Sequence, residues 1–158
     1  MKLTESDIIF EDNHLIVVNK KPSQIVQGDK TGDKPLSELL KDFLKEKYKK
    51  PGNVFAGVVH RLDRPVSGVV VFAKTSKALS RLNELFKTRA VTKTYWAVVK
   101  NKPPQVEGHL IHFIIKNEVK NISKAFKEPR KGALKAELDY KILASSDNYH
   151  LLEVTPLT

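Results

Sequence analysis

At 158 residues the chain is long enough to bury a sizeable core, and it contains no internal repeat. Its 28 Lys and Arg against 18 Asp and Glu give a formal charge of +10, which favours a polyanionic partner over a neutral metabolite. The absence of cysteine excludes a disulfide framework, thiolate chemistry and a cysteine metal site.

The first dozen residues are charged and hold no continuous apolar stretch, so neither a secretory signal nor a membrane anchor is expected there, and the default expectation is a cytoplasmic protein. Ile8, Ile9 and Phe10, then Leu15, Ile16, Val17 and Val18, are short apolar runs separated by the polar Glu11–His14, which predicts a β-hairpin. Asn19-Lys20-Lys21-Pro22 leads into a loop containing Gly and Lys that runs to about Lys34. From Pro35 the period changes. Leu36, Leu39, Leu40, Phe43, Leu44 and Tyr48 fall at helical spacing, and Pro51-Gly52-Asn53 stops the helix. Its other face carries Lys41, Lys45, Lys47, Lys49 and Lys50 and reads as a solvated face with favourable charge at the helix end.

The stretch His60 to Gly68, HRLDRPVSG, lies between apolar runs, with Val58 and Val59 leading in and Val69, Val70, Val71 and Phe72 leading out. A loop between two strands is expected. It places one acid, Asp63, between Arg61 and Arg64, with Pro65, Ser67 and Gly68 suited to a tight turn. An ionised carboxylate on a rigid loop in a cationic setting is how a nucleophile or base is presented. An Asp in such a turn also commonly accepts local backbone hydrogen bonds, and both readings stand at this point.

Thr75 or Ser76 can cap a second helix, whose stripe of Leu79, Leu82, Leu85 and Phe86 is expected in the core. From Val91 to Val99 the chain alternates, which puts Lys93 and Tyr95 on one face and Trp96 on the other. Asn101-Lys102-Pro103-Pro104 breaks the chain before short strands around Leu110 to Ile115. The segment from Lys116 to Lys131 carries Lys116, Lys120, Lys124, Lys127, Arg130 and Lys131 around Phe126, and reads equally as an RNA-contacting loop or a disordered excursion. Leu134, Ala136, Leu138, Tyr140 and Ile142 alternate with charged residues as in a strand with one wet face, and a further strand is expected from Tyr149 to Pro156. The histidines, His14, His60, His109, His112 and His150, match no ligand spacing, and His109 and His112 would point to opposite faces of a strand. No metal site is expected.

HRLDxxxSG, followed by VVVFAKT, a helix and KTYWAVV, resembles the RNA pseudouridine synthases that modify ribosomal and transfer RNA. The likeness runs from about Asp7 to Thr158. It implies an α+β fold, with a mixed, largely antiparallel β-sheet and flanking helices. One catalytic domain would fill residues 1–158, without a separate N-terminal RNA-binding domain. It implies isomerisation of specific uridines in structured RNA, with no cofactor, no metal and no membrane. It carries the essential carboxylate onto Asp63, the aromatic that packs against the target base onto Tyr95, and onto Arg61 a residue that in some members enters the RNA stack as the uridine leaves. The alternative for Arg61 is a loop salt bridge to Asp63 or a neighbour, and Trp96 is expected to be buried packing.

Three departures from the family pattern bear on these expectations. Lys21 is an extra or variant residue where the family has Asn-Lys-Pro, and Val66 stands where it usually has Thr. In the family a strand like LLEVTPLT continues into Gly-Arg-x-His-Gln-Ile-Arg, whose first Arg pairs with the catalytic Asp, so an incomplete catalytic domain is expected. A non-catalytic RNA-binding module on the same scaffold is the alternative, and a basic ribosome-associated structural protein a third reading that leaves Asp63 without a reason.

Overall fold

A computed structural model describes residues 2–120 and 122–158. The chain forms two compact units, Met1–Thr88 and Arg89–Thr158.

The first unit is built on β1 (Ile8–Glu11), β2 (Leu15–Lys20), β3 (Gly57–Val58) and β4 (Gly68–Ala73), in the order β1-β2-β4-β3 and antiparallel throughout. The predicted hairpin is β1–β2, and its turn is tied by the Asp12 carboxylate, which accepts the His14 and Leu15 amides at 2.7 and 2.6 Å. The helix α1 (Leu36–Lys47) lays Leu36, Leu39, Leu40, Phe43 and Leu44 against Ile16, Val18, Val70 and Phe72, and these residues form the core. Each such side chain withdrawn from water contributes about 1.5–3 kcal/mol. The helix ends at Tyr48, and Lys49 then takes a positive φ of 48°.

The lysine face of α1 is not simply solvated. Lys41 pairs with Glu38, and Lys47 bridges Glu5 and Glu11. Glu11 also receives Lys74 from the end of β4 and the Tyr48 hydroxyl, which ties sheet to helix. Burial pushes the Glu11 carboxyl up, but hydrogen bonds from Lys74, Lys47 and Tyr48 outweigh it and bring its pKa down to about 2.

Thr75 caps α2 (Ser76–Lys87) by accepting the Ala78 amide at 3.1 Å. The expected core stripe of this helix is only half-buried: Leu79, Leu82 and Phe86 are partly covered, and Leu85 is exposed. The two-residue β3 beside it offers too little surface to cover the whole stripe.

The second unit is one antiparallel sheet in the order β5-β9-β8-β6-β7, from β5 (Tyr95–Val99), β6 (Glu107–Asn117), β7 (Ile122–Phe126), β8 (Leu134–Ser145) and β9 (His150–Pro156). The basic segment after Lys116 is therefore not a formless excursion. Its residues 122–126 form β7, paired with the end of β6 from Phe113↔Phe126 to Asn117↔Ile122.

Trp96 corrects a further expectation, because it is 72% exposed and Val98, two residues on and on the same face, is 67% exposed. The alternation was as expected, but the covered face of the sheet is the one carrying Tyr95, Ala97, Leu152 and Tyr140. On that face Tyr140 lies over Gly108, where a Cβ would stand 2.9 Å from Tyr140 Cε1. Among the described residues every strand pairing is antiparallel, and no helix is long and apolar enough to cross a membrane.

Candidate active site

The HRLD loop joins β3 to β4 in the first unit, and its side chains alternate between anchoring and exposure. His60 stacks on Phe86 with ring centroids 5.0 Å apart, and its Nε2 accepts the Val71 amide at 3.0 Å. That bond fixes the neutral tautomer, and burial pushes the His60 pKa down, so the ring stays uncharged. Leu62 packs on the core. Arg61 and Asp63, on either side of it, face solvent.

The turn that follows Asp63 is closed by the Val66 amide, which donates to the Asp63 carbonyl at 3.0 Å. Main-chain closure explains how the loop holds its shape with Val66 in place of a hydroxyl residue. The exit needs a glycine, since Gly68 has φ +138° as β4 begins.

Beneath the turn lies Lys20, the last residue of β2, with a fully buried side chain. Its Nζ donates to the carbonyls of Val66, Asp63 (3.1 Å), Arg64 (3.3 Å) and Lys21 (3.3 Å). Burial pulls the Lys20 pKa below the ordinary lysine value, and the negative charge of Asp63 opposes that shift. The ammonium thus acts as a cation held by loop carbonyls, fixing the backbone from which Asp63 projects. Lys21 points elsewhere and pairs with the buried Asp7 at 2.7 Å. β2 pairs with β4 as far as Lys20↔Gly68 without a register shift, so any extra residue falls beyond the strand.

Among the described residues no hydrogen bond or ion pair reaches the Asp63 carboxylate or the Arg61 guanidinium, so the structure contains no Arg61–Asp63 bridge. Arg64, by contrast, is engaged through both terminal nitrogens. Its guanidinium holds Asp33 at 2.7 Å, Thr31 Oγ1 at 2.7 Å and Asp29 at 3.4 Å. Tyr95 heads β5 in the second unit, half-buried and opposite Val154.

The sequence model of the RNA pseudouridylate synthase family matches residues 14–158, across both units. The chain belongs to this family. It is 34% identical over 160 residues to the ribosomal large subunit pseudouridine synthase C of Rickettsia felis, which covers 99% of this chain and 50% of that protein. With the tRNA pseudouridine synthase C of Vibrio cholerae it shares 30% identity, over 96% of this chain and 64% of that protein. Among solved structures, human RNA pseudouridylate synthase domain containing 4 superposes with a TM-score of 0.80 at 25% identity, over 97% of this chain and 59% of that one. Human RNA pseudouridylate synthase domain containing 1, at 22% identity and a TM-score of 0.73, shares the fold. The chain spans about half to two thirds of the length of these relatives.

Within this pseudouridine synthase fold, the candidate residues Asp63 and Arg61 lie exposed on the HRLD loop and Tyr95 heads β5, whereas the buried role of Lys20 and the grip of Arg64 were not among the expectations from the residue order. A signal for Lys20 was present. Period-two counting from Ile16 and Val18 puts Lys20 on the buried face of β2, where a lysine needs a reason.

Proposed function

We propose that this pseudouridine synthase isomerises specific uridines in structured ribosomal or transfer RNA, with Asp63 as the essential carboxylate. The observation that carries the reading is the mounting of Asp63, exposed on a loop held by Lys20, His60 and Leu62 while its own carboxylate is left unengaged. A carboxylate aimed by its backbone and free of local partners suits chemistry better than turn-capping. The relatives are named for ribosomal large-subunit and transfer RNA, which supports RNA as substrate.

In the reaction the N1–C1′ bond of the uridine breaks, the base turns, and C5 bonds to C1′. C5 gives up its proton and N1 takes one, so composition is unchanged and no redox partner is required. A uridine in folded RNA must first be turned out of its stack, which costs a few kcal/mol that backbone contacts offset. Arg61, two residues before Asp63 and unpaired among the described residues, is assigned to the vacated stack, and Tyr95 to the face of the target base. Both units are taken as parts of one catalytic domain.

The test is Asp63→Asn, assayed by release of tritium from RNA labelled at uridine C5. It is run on this chain and on any longer form, alongside RNA affinity. Loss of release by about 10³-fold or more, with affinity within about twofold, is expected. An Asp63→Asn protein that still releases tritium sinks the assignment. RNA binding without release by any form, wild type included, would leave an RNA-binding module.

A further inference from the structure

Residues 28–34 form an exposed segment with no regular element of its own, yet three of its side chains converge on one group. Arg64 Nη1 donates to Asp33 Oδ2 at 2.7 Å, and Nη2 donates to Thr31 Oγ1 at 2.7 Å and to Asp29 Oδ2 at 3.4 Å. Thr31 in turn donates its hydroxyl to Asp29 and its amide to the same carboxylate at 2.9 Å. The main chain repeats the attachment, because the Ser23 amide donates to the Arg64 carbonyl at 2.8 Å, and Ser23 holds a positive φ of 71° to do so. That carbonyl is also one of those gripped by Lys20.

A single exposed ion pair contributes little to stability. An arginine fork shared between two carboxylates and a hydroxyl does something else, which is to fix geometry. The residue it extends from is the one directly after Asp63.

We propose that Arg64 is a positioning residue: its guanidinium staples residues 28–34 to the turn that carries Asp63, so that the substrate meets a fixed wall and a carboxylate that does not swing. The proposal rests on the assignment of Asp63 above. Arg64 is then withdrawn from the RNA, since its charge is met by Asp29 and Asp33, and phosphate contact falls to other cations.

The experiment compares Arg64→Ala, Arg64→Lys and the double variant Asp29→Asn/Asp33→Asn with wild type and Asp63→Asn. It measures kcat and KM on RNA and amide hydrogen exchange over residues 63–67. The double variant keeps the Arg64 charge and the Thr31 contact and removes the two negative charges that meet the guanidinium. Expected is a fall in kcat of about tenfold or more in both Arg64→Ala and the double variant, with KM within about twofold and faster exchange at 63–67 in each. Arg64→Lys should recover only part of the loss, because an ammonium lacks the fork. The proposal is overturned if Arg64→Ala raises KM alone while the double variant behaves as wild type, the pattern of a phosphate contact. It is also overturned if kcat and exchange are unchanged in both. An inactive Asp63→Asn alongside unaltered Arg64 variants removes this proposal and leaves Asp63 standing. An active Asp63→Asn removes both.

Discussion

Replacing Lys20 by Met keeps the length of the side chain and removes its charge, and the structure separates what this does to stability from what it does to the turn. The Asp63, Arg64 and Lys21 carbonyls keep second donors, the Val66 amide at 3.0 Å, the Ser23 amide at 2.8 Å and the Gln24 amide at 3.4 Å, so each loses about 0.5 kcal/mol. The Val66 carbonyl loses its ammonium donor outright, at about 1–3 kcal/mol. Against these losses, Met relieves the desolvation of a buried ammonium, which offsets a similar amount. The net is about 0–2 kcal/mol, a melting shift of roughly 0–8 °C for a chain of this size. The turn itself is no longer pulled onto β2, and a displacement of about 1 Å at a reacting group costs about 10²-fold in rate. Lys20→Met is therefore expected to stay folded at assay temperature and to lose about 100-fold in tritium release. The checks are a thermal melt and a turnover assay on the same preparation. Release within about threefold of wild type would refute the mount, and so would a loss of activity that merely tracks unfolding.

Glu11 gives a pH prediction. A carboxyl whose pKa is lowered by folding, here from 4.5 to about 2, stabilises the fold above the unfolded value and loses that contribution as pH falls toward 2. Glu11→Gln should flatten the fall in melting temperature between about pH 5 and pH 2, where about 3 kcal/mol is at stake, and parallel wild-type and variant curves would contradict the cluster. Gly108→Ala drives a methyl to 2.9 Å from Tyr140 Cε1 and is expected to cost about 1–3 kcal/mol by chemical denaturation. Combining it with Tyr140→Leu should recover part of that cost, whereas strictly additive losses would place the strain elsewhere.

Much of this chain could be read from residue order because its elements carry their own punctuation. The apolar stripe of α1 ends at a Pro-Gly stop, Thr75 caps α2, and the HRLD loop sits between two β-branched runs. The elements that were missed lack such signals. β7, ISKAF, is exposed on nearly all of its length, so no alternation of polarity marks it. Trp96 shows the limit of periodicity. Alternation establishes that Tyr95 and Trp96 face opposite ways, but which side is covered depends on Tyr140 and Leu152, more than 40 positions later. Arg64 was legible as a cation beside Asp63 but not as the partner of Asp29 and Asp33, because a long-range pairing leaves no local mark.

The net charge also changes meaning once the partners are known. A formal +10 suggests a broadly basic surface, yet in the first unit much of the cationic charge is already committed. Lys20 is buried against carbonyls, Arg64 is held by Asp29 and Asp33, and Lys47 and Lys74 share Glu11. Lys21 is held by Asp7. In the second unit Lys116 pairs with Glu118, and Arg130 sits over the Phe126 ring at 4.2 Å with its charge still open to an anion. Phosphate affinity scales with the cations that can release counterions, not with the sum over the sequence. In the HRLD loop that leaves Arg61, whose neighbour Asp63 would otherwise repel a phosphate backbone. On the proposed assignment, an unpaired arginine two residues from an unpaired carboxylate would let the loop approach RNA while keeping the acid free for the base.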